Sequence, residues 1–367
     1  MLGVVTAFVI VGGAVGAWLV TRTDELSRVE ASPSTTTSTL PPAPTTTTTL
    51  RDPRRGNGQP VTLAFGGDVM FEGHLRSKLL NDPAGVLAPV APVLSAADVA
   101  IVNLETAITE RGTPVPKKYN FRVPAVVLDA MRAAGVDAVS VANNHGLDFG
   151  PEGLADTLAA EAEKQFPVLG IGNEWNEAFT PYRVDVRGQR ITVFAATDVL
   201  DSPYETTWDA TETSAGLAST KGDGLERLAA NVALARTDSD TVVVYLHWGV
   251  ERESCPSDRQ RHVAQVLTDA GADVVVGAHA HHLQGGGRLG TAFVDYGLGN
   301  FVFYNEQGEY GRSGVLLVTA TGRDIDSYQW VPARITNGVA TPLPPGAEAE
   351  AELAHWNELR ACTGLAA

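Results

Sequence analysis

Ala272-Asp273-Val274-Val275-Val276-Gly277-Ala278-His279-Ala280-His281-His282 is an apolar, β-branched run that ends in histidines. Its first half reads as a short buried strand flanked by glycine. Side chains alternate along an extended chain, so His279 and His281 are expected to point to the same side at the strand's end. Two neutral imidazoles converging on one spot suit a divalent transition metal. Taken alone, the same residues also fit a histidine-rich surface loop.

Outward from this run the same pattern recurs. Apolar strands are predicted at 61–67 (ending in a glycine turn), 97–102, 136–141, 166–170, 182–186, 191–197 and 241–246, with late strands at 315–320 and 328–335. Helices are predicted at 125–134, 151–164, 225–236 and 258–270, the first closed by Gly135 and the second opened by Pro151. This alternation is α/β with a mixed sheet. Polar motifs follow the strands, where α/β folds build their sites. They are Gly67-Asp68-Val69-Met70, Asn103-Leu104-Glu105, Asn143-Asn144-His145-Gly146-Leu147-Asp148, His247-Trp248-Gly249-Val250-Glu251 and Tyr296-Gly297-Leu298-Gly299-Asn300-Phe301. Each alone is explained by a turn, a surface charge or a core histidine. Together they supply the carboxylate, amide and imidazole ligands that a pair of divalent ions needs, with one histidine left to protonate a leaving oxygen.

Composition limits the alternatives. The chain has 367 residues and a net charge of −16, with 44% hydrophobic residues. That acidity argues against a nucleic-acid binder. Two cysteines cannot build a four-thiolate zinc site. Leu2–Val20 is nineteen uncharged, mostly apolar residues, long enough for a transmembrane anchor, although Ala14-Val15-Gly16-Ala17 also fits a signal cleavage site. Residues 1–21 are therefore read as an N-terminal anchor or signal and 22–60 as a Thr/Pro-rich linker, since sixteen of the twenty residues 31–50 are Thr, Ser or Pro. The folded domain is placed at 61–340, with 341–367 packing back on it. This organisation predicts a cell-membrane protein with its domain outside the cytoplasm. There Cys255 and Cys362 are expected to pair.

The ordered motifs Gly-Asp-Val-Met, Asn-Leu-Glu, Ala-Asn-Asn-His, His-Trp-Gly-Val-Glu, Gly-Ala-His-Ala-His and Tyr-Gly-Leu-Gly-Asn-Phe resemble the CapA family of poly-γ-glutamate capsule biosynthesis proteins. That family is related to calcineurin-like metallophosphoesterases. The resemblance implies an αββα sandwich of two mixed β-sheets flanked by helices and one or two divalent ions (Mn, Zn, Fe or Mg). It makes Asp68, Glu105, Asn144, His247, His279 and His281 the ligands: Glu105 bridging, His247 and His279 on one ion, His281 and Asp68 on the other. His145 becomes the catalytic acid. Met70 stands where the wider superfamily has a second imidazole, and a thioether is a poor ligand for such ions.

For an anionic polymer or phosphorylated substrate the expected contacts are Arg122 above all, then Lys118, Lys117 and His74. Glu251 and Asn300 are expected to support the ligands from behind. Two functions remain open on the sequence: a metal-dependent hydrolase of cell-surface polymer synthesis, and a non-catalytic polymer-binding or synthase-assisting subunit with a partial metal site.

Overall fold

The computed structural model describes residues 52–367; the predicted anchor and most of the Thr/Pro linker lie outside them. No helix among the described residues is long and apolar enough to cross a membrane. In chain order the strands of the two large sheets are β1 Val61–Val69, β2 Val99–Leu104, β3 Ala138–Ser140, β4 Val168–Leu169, β5 Tyr182–Val186, β6 Gln189–Thr197 and β7 Thr241–His247. They continue with β8 Val274–Ala278, β9 Gly286–Leu289, β10 Ala292–Asp295, β11 Asn300–Val302, β12 Arg312–Thr321, β13 Asp324–Thr336 and β14 Val339–Pro342. The longer helices are α1 His74–Asn81, α2 Val126–Ala133, α3 Gly150–Lys164, α4 Gly224–Ala235, α5 Asp258–Ala270 and α6 Ala347–Leu359.

The first sheet has eight strands in the order β11-β14-β13-β12-β1-β2-β3-β4, with β11 also pairing β1. Its β1–β4 half is parallel, and the β12–β13–β14 half is antiparallel. The second has six strands, β9-β10-β8-β7-β6-β5, parallel from β6 through β7 and β8 to β10, with antiparallel edges.

Period-two alternation assigns the faces. Val243 and Tyr245 of β7 join Leu63, Phe65, Ile101 and Val276 between the sheets. Val242, Val244 and Leu246 instead meet α4 and α5 through Leu228, Val232, Val263 and Leu267. On the other side Ala64 and Val102 face Leu75, Val127, Leu128 and Leu154 of α1, α2 and α3. The result is an αββα sandwich of two mixed sheets. Each fully buried aliphatic side chain contributes roughly 1.5–3 kcal/mol to holding it.

The sequence placed a turn at Gly66-Gly67, but β1 runs through both to Val69. A Cβ on Gly67 would lie 1.9 Å from the Gly299 carbonyl oxygen. The glycine therefore admits a crossing chain rather than bending its own. The cap of α5 follows its sequence: Ser257 Oγ accepts from Gln260 N and Gln260 Oε1 accepts from Ser257 N, a capping box, and Gly271 closes the far end at φ 111°.

Residues 52–60, assigned to the linker by composition, are held against the domain. Arg54 pairs with Asp324, and Gln189 Nε2 donates to the Gln59 carbonyl. At the other end α6 stacks Trp356 on Trp330, ring centroids 5.6 Å apart, and Glu352 binds Arg312 and Arg334. Cys362, just beyond α6, is bonded to Cys255.

Candidate metal centre

The parallel strands of both sheets end at one place. Asp68 lies near the end of β1, Glu105 directly after β2, and Asn143, Asn144 and His145 after β3; His247 closes β7 and His279 follows β8. Ligand atoms of Glu105, His247 and His279 lie within 4.8 Å of one another, and so do those of Asp68, Glu105 and His281. Glu105 belongs to both groups, the position of a bridging carboxylate. Asn144 Oδ1 is 2.9 Å from His247 Nε2, which in turn is 3.6 Å from Glu105 Oε1.

Whether these residues suit metal ions is decided by their unpaired atoms. Glu105 is fully buried, and neither of its carboxylate oxygens has a hydrogen-bond partner; His279 Nδ1 is equally bare. A buried carboxylate without partners is costly, and such atoms ordinarily find one. Burial, then the neighbouring Asp68, push the Glu105 carboxyl well above its usual range. Burial holds His247 well below its ordinary pKa and His279 down at about 3, with the neighbouring imidazoles adding to both. Both stay neutral, the form that ligates. The donor set fits a pair of borderline-to-hard divalent ions.

The sequence had His279 and His281 converge by alternation along an extended strand. The structure corrects this: β8 stops at Ala278, and both histidines sit at positive φ, 98° and 56°. Left-handed backbone at bulky residues is uncommon and gathers at functional sites. The turn brings His279 N to within 3.1 Å of Asp68 Oδ2, so the backbone donates to one ligand while the side chain joins others.

Asn300 orients His281. Its Nδ2 donates to the His281 and Tyr310 carbonyls, which turns Oδ1 toward His281 Nδ1 at 2.8 Å. Nδ1 must therefore be a donor in the metal-free chain, and the same nitrogen lies 3.3 Å from Asp68 Oδ2.

Burial opposes charging His281, but Glu105 and then Asp68 outweigh it and raise its pKa to about 9. An incoming ion must displace that proton and any that burial keeps on Glu105, while His247 and His279 have none to lose near neutrality. Metal affinity is thus expected to rise between pH 6 and 9, by up to about tenfold per unit for each proton released. Mn²⁺ titrations at fixed ionic strength would check this; a flat profile would remove His281 from the ligands.

Beside the cluster, His145 Nδ1 is 2.6 Å from Asp148 Oδ2, and His145 Nε2 is 4.0 Å from Glu105 Oε1. Burial lowers the His145 pKa, with Asp148 working the other way. Asp148 also accepts from Phe121 N at 2.6 Å and pairs with Lys117 Nζ at 2.8 Å. A carboxylate fixing one imidazole nitrogen so that the other faces a pocket is the arrangement of a general acid–base pair.

A family profile described as "Bacterial capsule synthesis protein PGA_cap" matches residues 62–305. The chain belongs to the bacterial capsule synthesis protein family. Among its capsule-synthesis relatives, "Capsule biosynthesis protein CapA" of Bacillus anthracis is 28% identical over 78% of this chain and 70% of its own length. "PGA biosynthesis protein CapA" of Bacillus subtilis is 28% identical over 66% of this chain and 63% of its own. A "Probable polyglutamine synthesis accessory protein" of Mycobacterium tuberculosis is 27% identical over 62% of this chain and 70% of its own. The chain thus spans about two thirds of these relatives.

Among solved structures, a hypothetical protein from Thermus thermophilus has a TM-score of 0.46 at 20% identity, covering 74% of this chain and 99% of that one. The NAD nucleotidase of Haemophilus influenzae also has a TM-score of 0.46, at 14% identity, covering 84% of this chain and 64% of that one. Likenesses of this order carry no functional inference.

Within this capsule-synthesis chain, several predicted contacts fall elsewhere. Arg122 lays its guanidinium on the Phe149 ring, 4.7 Å from the centroid, and bonds the Glu110 carbonyl; it does not line the pocket. His74 is exposed at the start of α1. Lys118 Nζ stands 4.8 Å over the Tyr119 ring, and Tyr119 is at the pocket wall. The Lys117 side chain is nearly covered and committed to Asp148, Asp201 and the Asn144 carbonyl, so it braces the His145 pair rather than meeting substrate. Glu251 is an exposed wall residue, not a support behind His247. That support comes from Asn103, whose Nδ2 donates to Asp68 Oδ1 and lies 3.2 Å from His247 Nδ1.

The sequence motifs contain Asn103 and Asp148 without marking their roles. Asn103 precedes Glu105 by one strand period, and Asp148 lies within turn reach of His145. Met70 is buried in the pocket wall and leaves Asp68, Glu105 and His281 without a further imidazole.

Proposed function

We propose that this chain is a membrane-anchored, extracytoplasmic protein of cell-surface polymer biosynthesis whose pocket is a dimetal phosphoesterase-like hydrolytic site. The observation that carries the reading is Glu105, buried with both oxygens unpaired, shared by two ligand clusters and faced by the His145–Asp148 pair. Asp68, Glu105 and His281 would hold one ion, and Glu105, His247, His279 and Asn144 the other. The ions would supply Lewis acidity and an activated water.

The chain's own residues do the rest. Asp148 holds the Nδ1 proton of His145, and His145 presents Nε2 to the pocket, where the doubly protonated ring gives its Nε2 proton to the leaving oxygen. Lys117 balances the Asp148 charge, and Asn103 fixes Asp68 and His247. The apolar Leu2–Val20 stretch supports the membrane as one partner. The family supports an anionic polymer or phosphorylated intermediate as substrate, with membrane synthase subunits nearby. The acidity of the chain speaks against nucleic acid.

The test is metal analysis of the full chain together with Mn²⁺-dependent hydrolysis of bis(p-nitrophenyl) phosphate. His145→Ala is expected to keep its metal and lose about 10²–10⁴-fold in turnover. Equal turnover in the variant would overturn the acid's role, and a wild-type chain that binds no metal would sink the site. Met70 favours the second reading, a polymer-binding or synthase-assisting subunit with a partial site; in that case metal binds and no turnover is seen.

A further inference from the structure

The pocket over the cluster is a cavity of about 150 Å³, and its wall holds one basic side chain other than the histidines, Arg252. We infer that Arg252 is the substrate's anion anchor, binding a carboxylate or phosphate oxyanion displaced along the substrate from the group that reaches Glu105. The assignment rests on the pocket being the substrate site. In this acidic chain the guanidiniums are already engaged: among the described residues, every other arginine holds a hydrogen bond or an ion pair. The Arg252 guanidinium holds neither, and the residue is exposed. A planar fork of donors left open at a pocket wall matches an oxyanion better than it matches water.

Its backbone is placed for this task. Arg252 has φ 68°, and its N–H donates to the Ala280 carbonyl at 2.8 Å. Ala280 lies between His279 and His281, so the turn that delivers two ligands also positions the anchor. The approach is a slot between two runs of rings. One passes from His145 to Phe121, centroids 4.2 Å apart, and on to Tyr119 at 6.4 Å. The other passes from His281 to Phe303 at 5.2 Å and on to Tyr304 at 4.6 Å. Both outer tyrosines are about half exposed, at 53% and 51%. Rigid aromatic walls with one guanidinium, set beside the Glu251 carboxylate, select a slender chain that carries anionic groups.

Calorimetry on the Mn²⁺-loaded full chain tests this with two probes, a γ-linked glutamate oligomer and inorganic phosphate. Arg252→Ala is expected to weaken binding about tenfold to a hundredfold at unchanged metal content, with Arg252→Lys restoring part and Arg122→Ala changing nothing. Weakening confined to the oligomer assigns a pendant carboxylate; weakening confined to phosphate assigns a phosphoryl group. Wild-type chain that binds neither probe, or Arg252→Ala chain that binds both as well as wild type, overturns the anchor. Arg252-dependent binding in a chain that hydrolyses no phosphoester would instead remove the hydrolytic reading and leave the anchor standing.

Discussion

A chain carrying Glu105→Gln is expected to lose the two-ion centre in one step, with hydrolysis falling about 10³-fold or more. Glu105 alone belongs to both ligand clusters, and an amide has neither the charge nor the second acceptor oxygen to hold two cations. The variant should nevertheless fold. Glutamine is nearly isosteric with glutamate, and burial already disfavours the Glu105 charge, so metal-free stability should change by less than about 1 kcal/mol. The contrast appears on adding metal. Wild type at a free Mn²⁺ concentration a thousandfold above its Kd gains about 4 kcal/mol by mass action. The variant should gain little, and thermal melts with and without Mn²⁺ measure the difference. A Glu105→Gln chain whose melting temperature climbs with Mn²⁺ as the wild type's does would refute the bridging position.

Replacing Cys255 and Cys362 together by serine is expected to lower stability by about 4–5 kcal/mol. The bond closes a loop of 107 residues in sequence separation, and constraint of the unfolded chain grows with loop size. Non-covalent contacts at the same junction soften the local effect. Arg261 donates to the Cys362 and Thr363 carbonyls at 2.9 and 2.8 Å and to the Pro256 carbonyl at 2.9 Å. The native loop should therefore keep its place while the unfolded ensemble expands. Urea unfolding under non-reducing conditions reads the loss; coincident curves for wild type and variant would show that the bond contributes nothing.

Strand positions and the ligand cluster were legible in the sequence because β-branched runs and their trailing polar residues are local signals. Asp68, Glu105, Asn144, His247, His279 and His281 are each recognisable within a few residues of a strand end. What the sequence misjudged was non-local. The Gly66-Gly67 pair looks like a turn until the chain at Gly299 is known to cross it. The left-handed turn at His279 and His281 depends on Asp68, more than two hundred residues earlier. Arg122 and Arg252 cannot be told apart by composition, since both are basic residues between motifs. Only the Phe149 ring under one and the open wall around the other separate them. The strands β9, β10, β11 and β14 and the helices α1 and α6 are not legible in the sequence, because their short or weakly periodic segments carry little signal until they pack.

The division of ligands between the sheets also has a place in time. Asp68, Glu105 and Asn144 come with the first sheet, and His247, His279 and His281 arrive with or just after β7 and β8 of the second. A growing chain therefore presents only oxygen donors from this set for its first two hundred and more residues. Such donors favour abundant hard ions and hold them weakly until a closed cage forms. The imidazoles that discriminate among metals are synthesised last and aligned only when β7 and β8 dock against the first sheet. On the proposed dimetal reading, metal choice would wait until β7 and β8 have docked, and the ions present where the chain folds would set what the centre carries.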